Sequence, residues 1–132
     1  MCQEKGLEVD RSVIPKIARG FAGGIGNSGA VCGAVAGGVM AIGLMTGKGE
    51  SLDESLAELN VAQEFRRRFE AEMTSISCRE LTGLDLTKKE GIEKLMTSDV
   101  PQRVCFPAVS VAYDIAIDLL KESASPAPDG ET

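Results

Sequence analysis

The sequence predicts an all-α protein, a compact helical bundle around a small-residue, glycine-rich central helix. Three observations predict it. No stretch alternates apolar and polar residues far enough to make a strand; apolar residues recur instead at three- and four-residue steps. Two Ser-x-x-Glu boxes, Ser51-Leu-Asp-Glu54 and Ser77-Cys-Arg-Glu80, mark helix starts. The run from Gly20 to Gly47 carries no charge and is built largely of Gly, Ala, Val and Ile, as a helix packed closely against others would be.

Each element can be justified in order. A first helix fits Ser12 to about Gly20, with Pro15 tolerable in its first turn and Ile14, Ile17, Ala18 and Phe21 on one face. A glycine loop follows. Asn27 or Ser28 can cap a second helix that runs to about Met45 and stops at Gly47, with Cys32 in or just beyond its first turn. A third helix opens at the Ser51 box. Its stripe is Leu52, Leu56, Leu59, Ala62, Phe65, Phe69 and Met73. The Ser77 box opens a short helix that Gly83 ends, and Cys78 is its first residue. Thr87 to Met96 suits another short helix. Ser98 or Asp99 caps the last one, whose buried side is Val104, Ala108, Ala112, Ile115 and Leu119. Pro107 kinks that helix or marks its true start, placing Cys105 near an N-terminus. Residues 1–122 read as a single domain and 123–132, rich in Ser, Ala and Pro, as a disordered tail.

Composition narrows the chemistry. There is no His, so a Cys–His pair and histidine acid–base catalysis are excluded. With no Trp, one Tyr and four Phe against 15 Gly, packing rests on aliphatic side chains and close backbone approach. The net charge of −6 gives no electrostatic reason to bind nucleic acid. The cluster Arg66-Arg67-Arg68 has Glu64, Glu70 and Glu72 as neighbours and reads as a solvated helix face. The start of the chain is polar, not a secretory signal, so a cytoplasmic location is expected, where cysteines stay reduced, bind metal or do redox chemistry. The run Phe21 to Gly47 is uncharged, and Gly29, Gly33 and Gly37 stand at a spacing that suits close helix contact. Its first third is too polar and flexible for a membrane span, so a buried helix is expected.

The chemistry that remains belongs to four cysteines, Cys2, Cys32, Cys78 and Cys105. Three of them, Cys32, Cys78 and Cys105, fall near expected helix N-termini, where peptide dipoles favour a thiolate over a thiol; Arg79 adds positive charge beside Cys78. No two form C-x-x-C, which excludes zinc-ribbon and thioredoxin-type signatures. Buried, inert thiols would satisfy the spacing equally well. Gly24-Ile-Gly26-Asn-Ser-Gly29 matches G-x-G-x-x-G, but a helical pattern precedes it and no acidic residue follows before Glu50, so nucleotide binding is not expected.

Cys32-Gly-Ala-Val-Ala-Gly37 has the form C-G-A-x-x-G. With Phe21-Ala-Gly-Gly-Ile-Gly26, Gly38-Val-Met-Ala-Ile-Gly-Leu44, Phe69, Ser75-Ile-Ser-Cys-Arg-Glu-Leu-Thr-Gly83 and Cys105, it closely resembles the four-cysteine CGAxxG family of redox-active bacterial and archaeal proteins, C_GCAxxG_C_C. The resemblance runs from about Gly6 to Leu120. It implies a small helical protein with redox-active cysteines, and matches Cys32, Cys78 and Cys105 to the family's last three. Cys2 stands too close to Gly6-Leu7 to match the first; the helix that bears that cysteine is shortened or missing here, and Cys2 is expected near an exposed chain end, away from the others.

The reading is therefore a thiol-based redox protein, a thiol oxidoreductase or electron carrier. Cys32 is the attacking thiolate, with a pKa expected below the ordinary value of about 8.5, and Cys78 and Cys105 are resolving partners. Thiol exchange needs no cofactor; the partner is an unidentified redox protein. One alternative is a metal or iron–sulfur site on Cys32, Cys78 and Cys105, completed by Cys2 or an external ligand. Another is a non-redox scaffold with inert thiols, a homo-oligomer joined through its glycine-rich helix.

Overall fold

The computed structural model describes residue 8 and residues 10–47 and 50–124. Cys2 and the tail beyond 124 lie outside the described residues. Among the described residues there are six α-helices and no strand: α1 (Val13–Ala18), α2 (Gly33–Thr46), α3 (Leu52–Met73), α4 (Cys78–Thr82), α5 (Lys89–Thr97) and α6 (Phe106–Ala124). A 3₁₀ turn, Arg19–Phe21, continues α1, and a π turn, Pro101–Cys105, leads into α6.

Helices α2, α3 and α6 pack on one another and enclose the core. Val35 and Ile42 from α2 meet Phe65 and Phe69 from α3 and Ala108, Ala112, Ile115, Ala116 and Leu119 from α6. The two phenylalanines stack with ring centroids 6.3 Å apart and are fully buried. They supply the aromatic bulk of a core otherwise made of small aliphatic groups. α2 can approach α3 because of Gly38: a Cβ there would lie 2.2 Å from Phe65 Cζ. Of the glycines at the spacing that suits close contact, Gly33 lies against the preceding turn, a Cβ there falling 3.3 Å from Phe21 O, while Gly29 precedes the helix and lies against Arg79, a Cβ there falling 3.0 Å from Arg79 Cβ. Gly37 is exposed, with nothing within 4 Å of its would-be Cβ.

The buried side expected for the last helix is the observed one, with Ala108, Ala112, Ile115 and Leu119 buried and Val104 half-buried. The stripe expected on α3 divides in two. Phe65 and Phe69 are buried, whereas Leu52, Leu56 and Leu59 are 74%, 49% and 64% exposed. Arg68, towards the end of α3, binds Glu122 at 3.0 Å, two residues before the end of α6. The basic cluster is ion-paired along the helix surface: Arg66 with Glu70, and Arg67 and Arg68 with Glu64. Hydrogen bonds from these two guanidinium groups hold the Glu64 carboxyl down to about 2. No helix among the described residues is long and apolar enough to cross a membrane.

Candidate functional site

The three described cysteines come from three separate segments, and a glycine loop assembles two of them. Gly23 to Asn27 all have positive φ, between +58° and +70°, making a short left-handed turn. Such a turn costs an L-residue about 1–2 kcal/mol at each position, which glycine largely avoids; Ile25 bears the cost outright. Backbone bonds hold the turn, among them Gly26 N–H to Gly20 O at 2.9 Å and Ala30 N–H to Gly24 O at 2.9 Å. The Ser28 hydroxyl donates to Gly24 O at 2.7 Å and so belongs to the loop. Neither Asn27 nor Ser28 caps α2, contrary to expectation; the N-cap is Cys32 itself.

The reason lies across the fold. Val31 and Ser77 form an isolated antiparallel bridge. Cys32 N–H donates to Ile76 O at 2.7 Å and Cys78 N–H to Ala30 O at 2.7 Å. This pairing keeps the chain extended through Val31 and delays the start of α2. Side chains alternate across such a pair, so Cys32 and Cys78 emerge on the same face. Gly24 completes the junction: a Cβ there would lie 2.7 Å from both Ala30 N and Cys78 Cβ.

Cys78 opens α4, as the capping box predicts. The Ser77 hydroxyl accepts from Glu80 N–H at 3.2 Å and donates to Gly29 O at 3.1 Å. Cys105 does not stand at a free helix end. It closes the π turn, in which Phe106 N–H reaches back five residues to Pro101 O. Pro107 has no N–H to give to Arg103, and the wide turn absorbs that loss before regular α-helix begins.

Cys32, Cys78 and Cys105 line one cavity of about 300 Å³. All three are free thiols. Cys32 and Cys105 are half-buried; Cys78 is 9% exposed. The remaining walls are glycine and aliphatic, from Gly24, Leu81, Leu86, Val104 and Ala108 among others, with Thr82 the one hydroxyl. Among the described residues, no charged side chain lines it.

Burial pushes the Cys78 thiol up from its ordinary value, and charge on Cys32 and Cys105 adds to the rise against a smaller opposing pull from Thr82. Burial and then charge on Cys32 push Cys105 up as well. Both shifts run opposite to the lowering expected for these two thiols, and burial is the largest cause of each. Arg79 does not counter it. Its guanidinium is exposed and turned to Asp85 at 3.4 Å.

Among the described residues, no group of three or more His, Cys, Asp or Glu side chains is placed to hold a metal ion. Sequence reasoning missed the role of Gly24, although G-x-G-x-x-G flagged the residue; its closeness to Cys78 depends on a segment far along the chain. It also missed Ser75, which is buried, accepts from Ser77 N–H at 2.9 Å and hydrogen-bonds the Glu80 carboxylate.

The family described as "Putative redox-active protein (C_GCAxxG_C_C)" matches residues 1–119, a span that takes in all four cysteines. No curated protein and no solved structure matches the chain.

Proposed function

The chain belongs to the C_GCAxxG_C_C family of redox-active proteins, and from that premise we propose that it carries out thiol–disulfide exchange with Cys32 as nucleophile. The observation that carries this reading is the single cavity shared by Cys32, Cys78 and Cys105. Cys32 is half-buried and stands at the N-terminal end of the 14-residue α2. Cys78 and Cys105 are held in the thiol form by burial.

The steps follow from those differences. The Cys32 thiolate attacks one sulfur of a disulfide, forming a mixed disulfide and expelling the other sulfur as a thiolate, which takes up a proton. The charge on Cys32 is now gone. That charge was one of the causes holding the protons on Cys78 and Cys105, so either thiol ionises more readily once Cys32 has reacted. The resulting thiolate attacks Cys32 Sγ, releases the second substrate thiol and closes a protein disulfide. In sum, the substrate gains two electrons and two protons, and two protein thiols lose them. A dithiol reductant returns the site to its free-thiol form by the reverse path.

Alkylation of the folded protein near neutral pH tests the assignment. Cys32→Ser should abolish the fast phase, while Cys2→Ser leaves it in place. After mild oxidation, peptide mapping should find Cys32 joined to Cys78 or Cys105. A fast phase that follows Cys78 would exchange the two roles. If no cysteine reacts faster than a free thiol, the redox reading falls and the inert scaffold stands.

A further inference from the structure

Resting on the thiol-exchange reading, we infer that the substrate of this site is a small, uncharged organic disulfide, favoured because no charged side chain among the described residues lines the cavity around Cys32, Cys78 and Cys105. Charged disulfides of the glutathione type are disfavoured on that ground, and peptide disulfides by the size of the cavity.

The cavity argues this in two ways. At about 300 Å³ it stands at the lower end of small-molecule sites, too small for a peptide disulfide to enter whole. Among the described residues its walls offer no Lys, Arg, Asp or Glu to replace the water that an ionised substrate would shed. A carboxylate or an ammonium group brought in without such a partner pays for its desolvation, whatever its sign. Arg79, next to Cys78 in the chain, is exposed and engaged by Asp85. A developing thiolate inside meets the same apolar walls, in keeping with the retained protons on Cys78 and Cys105.

Discrimination against both signs of charge separates the cavity from the surface. The net charge of −6 alone would repel anions and attract cations. The cavity offers neither sign a charged side-chain partner among the described residues. The reaction is the one already written: R–S–S–R with two protein thiols gives one protein disulfide and two R–SH, with the protein oxidised and the substrate reduced.

Three disulfides of nearly equal size test the inference on the full chain: bis(2-hydroxyethyl) disulfide, neutral; cystamine, dicationic; and dithiodiglycolate, dianionic. The rate of thiol loss with each is divided by that reagent's rate with 2-mercaptoethanol, in low salt and in 0.5 M salt. The neutral reagent should lead both charged ones by about tenfold or more, roughly the cost of 1.4 kcal/mol in desolvation. Salt should leave that lead in place, because it screens the surface field and not the cavity. Val109 lines the cavity and is 57% exposed, so Val109→Lys places a charge at its mouth without burying it. That variant should raise the ratio of the dithiodiglycolate rate to the neutral reagent's rate about fivefold. Equal normalised rates, or an order of cation, neutral, anion that collapses in salt, would overturn the inference and leave thiol exchange standing. If none of the three outruns its reference, the inference and the thiol-exchange reading fall together.

Discussion

Ser51–Glu54 and Ser77–Glu80 start their helices with the same bond, the serine hydroxyl accepting the glutamate N–H at 3.2 Å in each. Beyond that bond the two regions diverge. Glu54 turns its carboxylate to Glu50 N–H at 3.0 Å, in solvent, and the leucines of the helix it opens are exposed. Glu80 turns its carboxylate to the buried Ser75, which also takes Ser77 N–H. Ser77 in turn donates across the fold to Gly29 O. One box is a local device that begins a helix. The other is a clamp that holds Cys78 against the glycine loop and so beside Cys32. A capping motif says where a helix begins; whether it also builds a site depends on what the rest of the chain lays against it.

Breaking the clamp at its tightest point should have the largest effect. Gly24→Ala adds a Cβ at φ +70° that meets Ala30 N and Cys78 Cβ, and should cost about 2–5 kcal/mol in a urea midpoint. Gly26→Ala is the matched control. It has positive φ but nothing within 4 Å, so backbone strain of about 1–2 kcal/mol is all it should cost. Equal losses from the two would mean that the approach to Cys78 contributes nothing.

The next effect compares the caps directly. Ser77→Ala removes a cap and one of the two donors to Gly29 O, leaving Arg79 N–H at 3.2 Å, and should cost about 1–2 kcal/mol. Ser51→Ala removes an exposed cap alone and should cost about 0.5–1 kcal/mol. Ser77→Ala should also change the alkylation rate of Cys78, while Ser51→Ala should not. If the two serines prove equivalent in both measurements, the clamp is no more than a cap.

The smallest effect at neutral pH belongs to the Cys78 proton. The folded protein holds this proton more tightly than the unfolded chain does. Its stability is therefore complete below the ordinary thiol value of about 8.5 and is lost as pH rises from there towards the raised folded value. Unfolding midpoints at pH 7.5 and pH 10 should fall further for the native chain than for Cys78→Ala. An equal fall would place the titrating group elsewhere.

Several elements could be read from neighbouring residues alone. The Ser51 and Ser77 caps, the stops at Gly47 and Gly83 and the inward side of α6 all rest on contacts a few residues long. Other features could not be read in this way. Cys32 becomes the N-cap because Ile76 O takes its N–H, a bond to a residue in a different part of the sequence. The stripe on α3 is continuous in sequence but buried only where α2 and α6 lie against it. Gly38, not Gly33 or Gly37, receives the Phe65 ring, because helix rotation is set by the whole interface. The π turn before Phe106 was signalled by Pro107, although its width was not.

By itself the sequence determined the helical class, the Ser51 and Ser77 caps, the exclusion of histidine chemistry and the family resemblance. Each follows from residue identity or from short-range periodicity, which survives without knowledge of the neighbours in space. Only the tertiary structure decided that Cys32, Cys78 and Cys105 share a cavity, that no charged side chain among the described residues lines it, and that the Cys78 and Cys105 thiols are pushed up from their ordinary value. Burial is the physical reason. It is a sum over everything packed around a group, and for these thiols most of that packing comes from distant parts of the chain.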